Sequence, residues 1–343
     1  MIFIYAVLAI TNPFTIKYDA GISKVISTVV EKIKEKPKPI LDKALYDLKM
    51  EMLANNAVVA TTSSSTPVVH HKWPVKGEYP LGGALLPFNR IIAYYGNFYS
   101  TRMGVLGEYA PDVMLQKLQT ETDKWKAADP ETPAIPAIHY IAVTAQGSAG
   151  EDGKYRLRMP DSQIDKAIEL AAKINGIVFL DLQVGLSDFP SEIPRLEKYL
   201  KMPNVHLGLD PEFSMKTKAK PGTVIGTMDA TDINYAATYL SKIVKDNDLP
   251  PKILIIHRFT QKMVTNYKNI TPLSEVQIVM DMDGWGPPSQ KINTYESFIV
   301  PEPVQFTGFK LFYKNDIKAA PNRLLTTKEL LDLSPRPIYI QYQ

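Results

Sequence analysis

From Arg90 onwards, short apolar runs alternate with stretches of helical periodicity, and this alternation limits the possible folds more than any other feature. It is typical of parallel sheets, in which the chain returns through a helix after each strand. A (β/α)8 TIM barrel needs roughly 250 residues and eight such strands. Eight runs have the required character, at 91–97, 136–143, 176–183, 204–210, 252–258, 276–283, 305–312 and 337–342. An open doubly wound sheet is the alternative, but no glycine-rich phosphate turn follows the first run.

Helices are predicted between these strands. The clearest covers 161–175, where apolar residues recur on one face and Gly176 follows as a stop signal. Another covers 231–246, and Asp229 suits its N-cap position. Because no eighth helix follows the last strand, we expect a helix at 41–54 to take its place.

The residues before the barrel divide into a helical extension at 1–60 and a linker at 61–88, and the barrel domain covers 89–343. The stretch 2–10 is strongly apolar but shorter than the roughly 20 residues of a membrane span. It suits a signal sequence, a membrane-surface anchor or a buried helix. We favour export or anchoring, and therefore expect an extracytoplasmic or membrane-anchored protein, with membrane association through the N-terminus.

Composition excludes several chemistries. The chain contains no cysteine, which excludes disulfides, thiolate metal sites and a cysteine nucleophile. The net charge is only +3, and no run rich in lysine and arginine is interleaved with aromatic residues. A nucleic-acid partner is therefore not predicted, and no cofactor is expected.

Acidic side chains gather near the carboxyl ends of the predicted strands, where TIM barrels carry their active sites. The alternation of side chains along a strand places five carboxylates on the inner face: Asp181, Asp210, Glu212, Asp281 and Asp283. A single aspartate at a strand end can equally cap the next helix. A buried carboxylate without a partner is costly, so five together indicate a functional site rather than a packed core.

Glycoside hydrolysis is the favoured hypothesis, since it needs a protonated acid and a second carboxylate. By analogy with other barrel enzymes, Glu212 is the candidate acid, Asp281 or Asp283 its partner, and Asp210 adjusts their pKa values or binds hydroxyl groups. The partner is then a carbohydrate or a cell-wall polymer. The stereochemical outcome stays open, because the seventh strand carries lysines where retaining enzymes often place a glutamate. The predicted substrate-binding residues are Asp181, Gln183, Tyr94, Tyr95, Asn97, His257, Arg258, Trp285, Lys310, Tyr339 and Gln341.

Two other functions stay open. The same residues would serve a barrel that binds a glycan or cell-wall polymer without turnover. Alternatively, the carboxylates and His257 could hold a hard cation, or zinc, in a metal-dependent hydrolase. The histidines do not favour zinc, since His139 and His206 lie within strands and suit core or second-layer positions. No metal ligand is therefore assigned.

Several strand-end segments resemble a family of bacterial proteins described as hypothetical proteins or lipoproteins. The similar segments are IAYYGN with the following MGVLGEY, NVHLGLDPEFSM, DMDGWGPP, GFKLFYKND and PIYIQYQ. The resemblance covers roughly residues 88–343. It implies a glycosidase-like barrel that is often exported, and it assigns no catalytic residue.

Overall fold

The computed structural model describes residues 39–56 and 72–343, and its centre is a closed barrel of eight parallel strands. Every strand pairs with the next, and the eighth pairs with the first. The predicted (β/α)8 TIM barrel is confirmed. The strands are β1 (Arg90–Gly96), β2 (Ala134–Ala145), β3 (Ile177–Leu182), β4 (Val205–Leu209), β5 (Lys252–Arg258), β6 (Val276–Met282), β7 (Phe306–Leu311) and β8 (Tyr339–Tyr342).

Helices follow most of these strands on the outside of the barrel. The helix α6 (Ala230–Asp246) begins as predicted, because the Asp229 side chain accepts a hydrogen bond from the Thr231 amide and completes a capping box with Asp232. Among the described residues, β5 and β6 are connected without an α-helix. The helices are α1 (Lys43–Ala54), α2 (Pro111–Ala128), α3 (Asp161–Ala172), α4 (Phe189–Glu192), α5 (Glu197–Leu200), α6 (Ala230–Asp246), α7 (Pro288–Phe298) and α8 (Thr327–Leu331).

Side chains of each strand alternate between two apolar layers. In β1, Ile91 and Ala93 belong to the cluster inside the barrel, whereas Ile92 and Tyr94 pack beneath the helices. Both layers exclude water, so the strands are largely apolar on both faces near their starts, where His206 and Gln277 are the polar inward residues of β4 and β6. The carboxylates of the inner layer lie towards the carboxyl ends of the strands, and this position defines the candidate site.

The helix α1 closes the amino-terminal end of the barrel. Its Tyr46 and Met50 belong to the inner cluster, together with Phe306 and Ile338 near the starts of β7 and β8. These strand starts would otherwise face water, and their burial stabilises the fold by roughly 25 cal/mol for each Å² of apolar surface. The placement of α1 corrects the expectation that residues 41–54 replace an eighth outer helix.

The outer surface of β8 is covered by α2 instead. The Trp125 indole nitrogen donates a 3.0 Å hydrogen bond to the hydroxyl of Tyr342, and α2 also contacts α8. Because both side chains are buried, the bond satisfies two polar groups within an apolar layer. The outer face of β8 is therefore buried by contacts with α2.

The predicted extension and linker fall partly outside the described residues, since 1–38 and 57–71 are not described. The expected anchor at 2–10 belongs to this part. Within 39–56 and 72–343, no helix has both the length and the apolar character that crossing a membrane requires. The segment 72–88 is attached to the barrel at Leu86, whose backbone amide and carbonyl both bond to the Gln277 side chain.

Candidate active site

A cleft of about 620 Å³ opens at the carboxyl ends of the barrel strands. Three of the five predicted carboxylates line it, namely Asp210, Glu212 and Asp283. The other two, Asp181 and Asp281, are fully buried beneath it. The sequence thus predicted the correct rim, but the five carboxylates occupy two levels rather than one.

Glu212 extends into the cleft from the short turn that follows β4. Asp210 holds this turn, because its carboxylate accepts a 3.0 Å hydrogen bond from the Glu212 amide. Within the part of the chain that the structure describes, the Glu212 carboxylate forms no hydrogen bond or ion pair. Burial, with a smaller contribution from the charge of Asp283, raises the pKa of Glu212 to about 7. Glu212 is therefore substantially protonated near neutral pH.

Asp283 has the opposite environment. The ammonium group of Lys310 lies 2.9 Å from its carboxylate, and the ring of His257 lies 3.2 Å from it. Burial opposes ionisation, but the charge of Lys310 and the contact with His257 outweigh it and lower the pKa of Asp283. The Lys310 ammonium also lies 3.8 Å from the centre of the Tyr95 ring. The lysine of strand seven, which the sequence left without a partner, thus keeps Asp283 ionised.

A chain of hydrogen bonds joins the cleft to the buried level. Gln183 donates to Asp210 at 3.2 Å and to the Tyr95 hydroxyl at 3.1 Å. Tyr95 in turn donates to Asp181 at 2.9 Å. Burial raises the pKa of Asp210 well above its usual range, although the charge of His257 opposes this. These bonds fix the floor of the cleft in one arrangement.

Asp281 lies beside His257, at 3.3 Å, and does not line the cleft. It precedes Asp283 by two residues in β6, so both point inward, but Asp281 lies roughly 7 Å deeper at ~3.3 Å per residue. This depth corrects the expectation that either aspartate could act on a substrate. Of the two, Asp283 is the one that reaches the cleft.

The buried level contains two histidines on either side of Asp181. The Nε2 atoms of His139 and His257 lie 3.3 and 3.4 Å from Asp181 Oδ1, and all three side chains are fully buried. One ligand atom of each residue lies within 4.8 Å of the others, so this group could hold a metal ion. His139 was expected in the core, and no sequence pattern links it to Asp181 and His257.

Four of the predicted substrate-binding residues line the cleft. Tyr95, Gln183 and Lys310 form its floor, and Trp285 lies at its edge with 58% of its surface exposed. An exposed tryptophan beside a polar cleft offers a flat face to a ligand. His257 and Asp181 support this floor from below.

The other predicted ligands lie elsewhere. Tyr94 and Arg258 occupy the outward positions of β1 and β5, where Tyr94 packs beneath the helices and Arg258 pairs with Glu302 at 2.6 Å. Asn97 donates to the Ile141 carbonyl. These three placements are corrections. In Tyr94 and Arg258, the side chain follows the outward phase of its strand, and Asn97 satisfies backbone groups at a strand end.

Tyr339 and Gln341 of β8 point inward but are fully buried and bond to His139. They therefore support the buried level and do not reach a ligand in the cleft, which corrects their predicted role. Among the cleft residues that were missed, four lie on loops without periodicity: Ser100, Arg102, Phe259 and Asn315. Gln290 lies in the first turn of α7, and Phe312 directly follows β7.

No protein-family model and no curated protein matches the sequence. Among solved structures, a ruminal GH26 endo-β-1,4-mannanase is 12% identical, with a TM-score of 0.33 over 74% of this chain and 58% of the mannanase. A GH26-CBM35 β-(1,4)-mannanase of Podospora anserina is also 12% identical, with a TM-score of 0.32 over 74% and 56%. The HPPK-DHPS protein of Plasmodium falciparum is 10% identical, with a TM-score of 0.33 over 74% and 44%.

The chain thus spans less than two thirds of each of these structures. At these TM-scores the similarities carry no argument about activity, and the fold rests on the strand pairing itself. The resemblance to bacterial hypothetical proteins and lipoproteins stays a prediction.

Proposed function

We propose that this barrel hydrolyses glycosidic bonds, with Glu212 as the general acid and Asp283 as the second carboxylate. One arrangement carries the proposal: both residues line the same cleft, but burial raises the pKa of Glu212 to about 7, whereas the charge of Lys310 at 2.9 Å overcomes burial and lowers the pKa of Asp283. Two carboxylates whose environments separate their pKa values are the arrangement that glycoside hydrolysis requires.

In this reaction Glu212 donates its proton to the glycosidic oxygen as the bond to the sugar carbon breaks. If Asp283 attacks that carbon, water then cleaves the resulting glycosyl ester, gives its proton to Glu212 and releases Asp283 as a carboxylate. If Asp283 instead removes a proton from the attacking water, Asp283 afterwards releases that proton to solvent and Glu212 takes up a proton from solvent. Lys310 keeps Asp283 charged between turnovers. Trp285 stacks on a sugar ring, and Asp210 and Gln183 bind hydroxyl groups.

Binding without turnover is the second candidate, because the pair with Lys310 reduces the basicity of Asp283. A glycan would then lie on Trp285 and the same floor, and neither carboxylate would react. We infer that the ligand in either case is a carbohydrate or a cell-wall polymer. Export through the apolar stretch 2–10 would bring the cleft to such polymers outside the cytoplasm.

The test is to incubate the full chain with a panel of plant and bacterial cell-wall polysaccharides and to measure released reducing ends and binding. Glu212→Gln keeps the size of the side chain but cannot donate the proton, so hydrolysis should fall at least 100-fold while binding persists. Glu169→Gln, at an exposed position of α3 outside the cleft, is the matched control and should retain activity. Binding without hydrolysis by the parent protein would favour the second candidate. Neither binding nor hydrolysis across the panel would refute both.

A further inference from the structure

We propose that the barrel interior binds one divalent transition-metal ion of the zinc class, held by His139, Asp181 and His257 beneath the cleft. Ligands around a four-coordinate zinc at 2.0–2.1 Å are separated from one another by roughly 3.3–3.4 Å. The two Nε2–Oδ1 distances, 3.3 and 3.4 Å, have this value. The three residues come from the adjacent strands β2 and β3 and from β5, so rigid elements hold them in place.

The three atoms that face one another lack hydrogen-bond partners. His139 Nε2, Asp181 Oδ1 and His257 Nε2 are fully buried, and none of them forms a hydrogen bond in the described part of the chain. Their separations are short enough, but their directions do not satisfy hydrogen-bond geometry. Unpaired polar atoms at this depth are costly. A cation bound by all three would remove that cost.

Other atoms of the same side chains have polar neighbours, as in many metal sites. His139 Nδ1 lies 2.6 Å from the Tyr339 hydroxyl and 3.0 Å from the Gln341 side-chain nitrogen. His257 Nδ1 lies 3.3 Å from Asp281, although this contact does not have hydrogen-bond geometry. The second oxygen of Asp181 accepts the hydrogen bond from Tyr95. Partners on the far side of a ligating histidine or carboxylate fix its orientation towards the ion.

Two glycines keep this level open. A Cβ atom at Gly208 would lie 2.5 Å from both Asp181 Oδ1 and His139 Nε2, and one at Gly308 would lie 2.6 Å from Asp281. Side chains are therefore excluded from β4 and β7 where the polar groups converge. Two imidazoles and one carboxylate favour zinc or a similar ion over magnesium or calcium, which prefer oxygen ligands.

The test measures Co²⁺ and Zn²⁺ binding to the full chain after removal of metal with a chelator. Binding is followed by calorimetry and by the visible absorption of cobalt. The protein carries His70→Ala and His71→Ala, so that this adjacent pair adds no binding. We expect one equivalent of metal. His139→Asn keeps a polar group near the Nδ1 position but removes Nε2, and should weaken binding more than the 10–100-fold typical of losing an outer partner.

His206→Asn is the matched control, because His206 is another buried histidine whose Nδ1 accepts a hydrogen bond from the Ile253 amide and which lies outside the group of three. It should bind metal as the parent does. Asp181→Asn provides a second ligand variant if His139→Asn does not fold. No stoichiometric binding by the parent, or equal affinity of the ligand variants and the control, would overturn the proposal and leave a metal-free histidine–carboxylate network. Because metal binding is measured without a substrate, this outcome is independent of hydrolysis.

Discussion

The ion pair between Lys310 and Asp283 should contribute far more to stability than its single short contact suggests. Its side chains are only 3% and 7% exposed, and its nitrogen and oxygen are 2.9 Å apart. Lys310→Met keeps most of the apolar stem but leaves the Asp283 charge buried without its cation. Breaking a buried pair in this way costs about 3–5 kcal/mol, because the remaining charge has lost its compensation.

An exposed pair provides the control. Lys328 and Asp332 are 2.6 Å apart, but their side chains are 82% and 61% exposed. Water screens this pair, so Lys328→Met should cost at most about 1 kcal/mol despite the shorter distance. The free energy of unfolding of each variant is measured by urea denaturation at neutral pH.

The double variant Lys310→Met/Asp283→Asn distinguishes the loss of the attraction within the ion pair from the cost of leaving the Asp283 charge buried without a partner. Removing the charge as well should restore at least half of the stability lost in the single variant. Equal costs for the buried and exposed lysines, or no recovery in the double variant, would contradict the assignment of Lys310 as the group that keeps Asp283 ionised.

Three further perturbations have defined outcomes. The pKa of Glu212 in the folded protein is raised to about 7, so the stability contributed by its protonated form is fully present below pH ~4.5 and is lost as pH rises through about 7. A Glu212→Gln variant, which stays neutral, should therefore gain unfolding free energy relative to the parent as pH rises from ~4.5 to about 7, as measured by urea titrations at several pH values. Gly208→Ala should destabilise by roughly 1–3 kcal/mol because its Cβ would meet Asp181, whereas Gly77→Ala, with open space around it, should have little effect in the same assay. Trp285→Ala should weaken polysaccharide binding, measured by affinity electrophoresis, while changing the unfolding free energy by no more than about 0.5 kcal/mol.

The strands were predictable because their cause is local. A buried parallel strand is an apolar run of fixed length, and the alternation of inner and outer residues follows from backbone geometry. The prediction therefore found the correct phase for Asp181, Asp210 and Asp283. The inward or outward direction of a side chain does not show, however, how deep in the barrel it lies. Asp281 has the same phase as Asp283 but lies one level below it, because it comes two residues earlier along the strand.

Contacts between distant segments were not predictable. The apolar face of α1 shows that the helix packs, but the face cannot show whether it meets the outside of the barrel or its open end. No sequence pattern indicated that His139 belongs to the site, because Asp181 and His257 come beside it only when the barrel closes. The loop residues of the cleft, such as Arg102, carry no periodicity that places them.

The central claim is that one cleft holds a protonated Glu212 beside an ionised Asp283. A carboxyl-carbon NMR titration of the labelled full chain measures both states, with Glu212→Gln and Asp283→Asn assigning the two signals. We expect Glu212 to titrate at about 7 and Asp283 to stay ionised to pH values below its usual range. Titration of Glu212 near its ordinary value of about 4.3 would contradict its assignment as the acid.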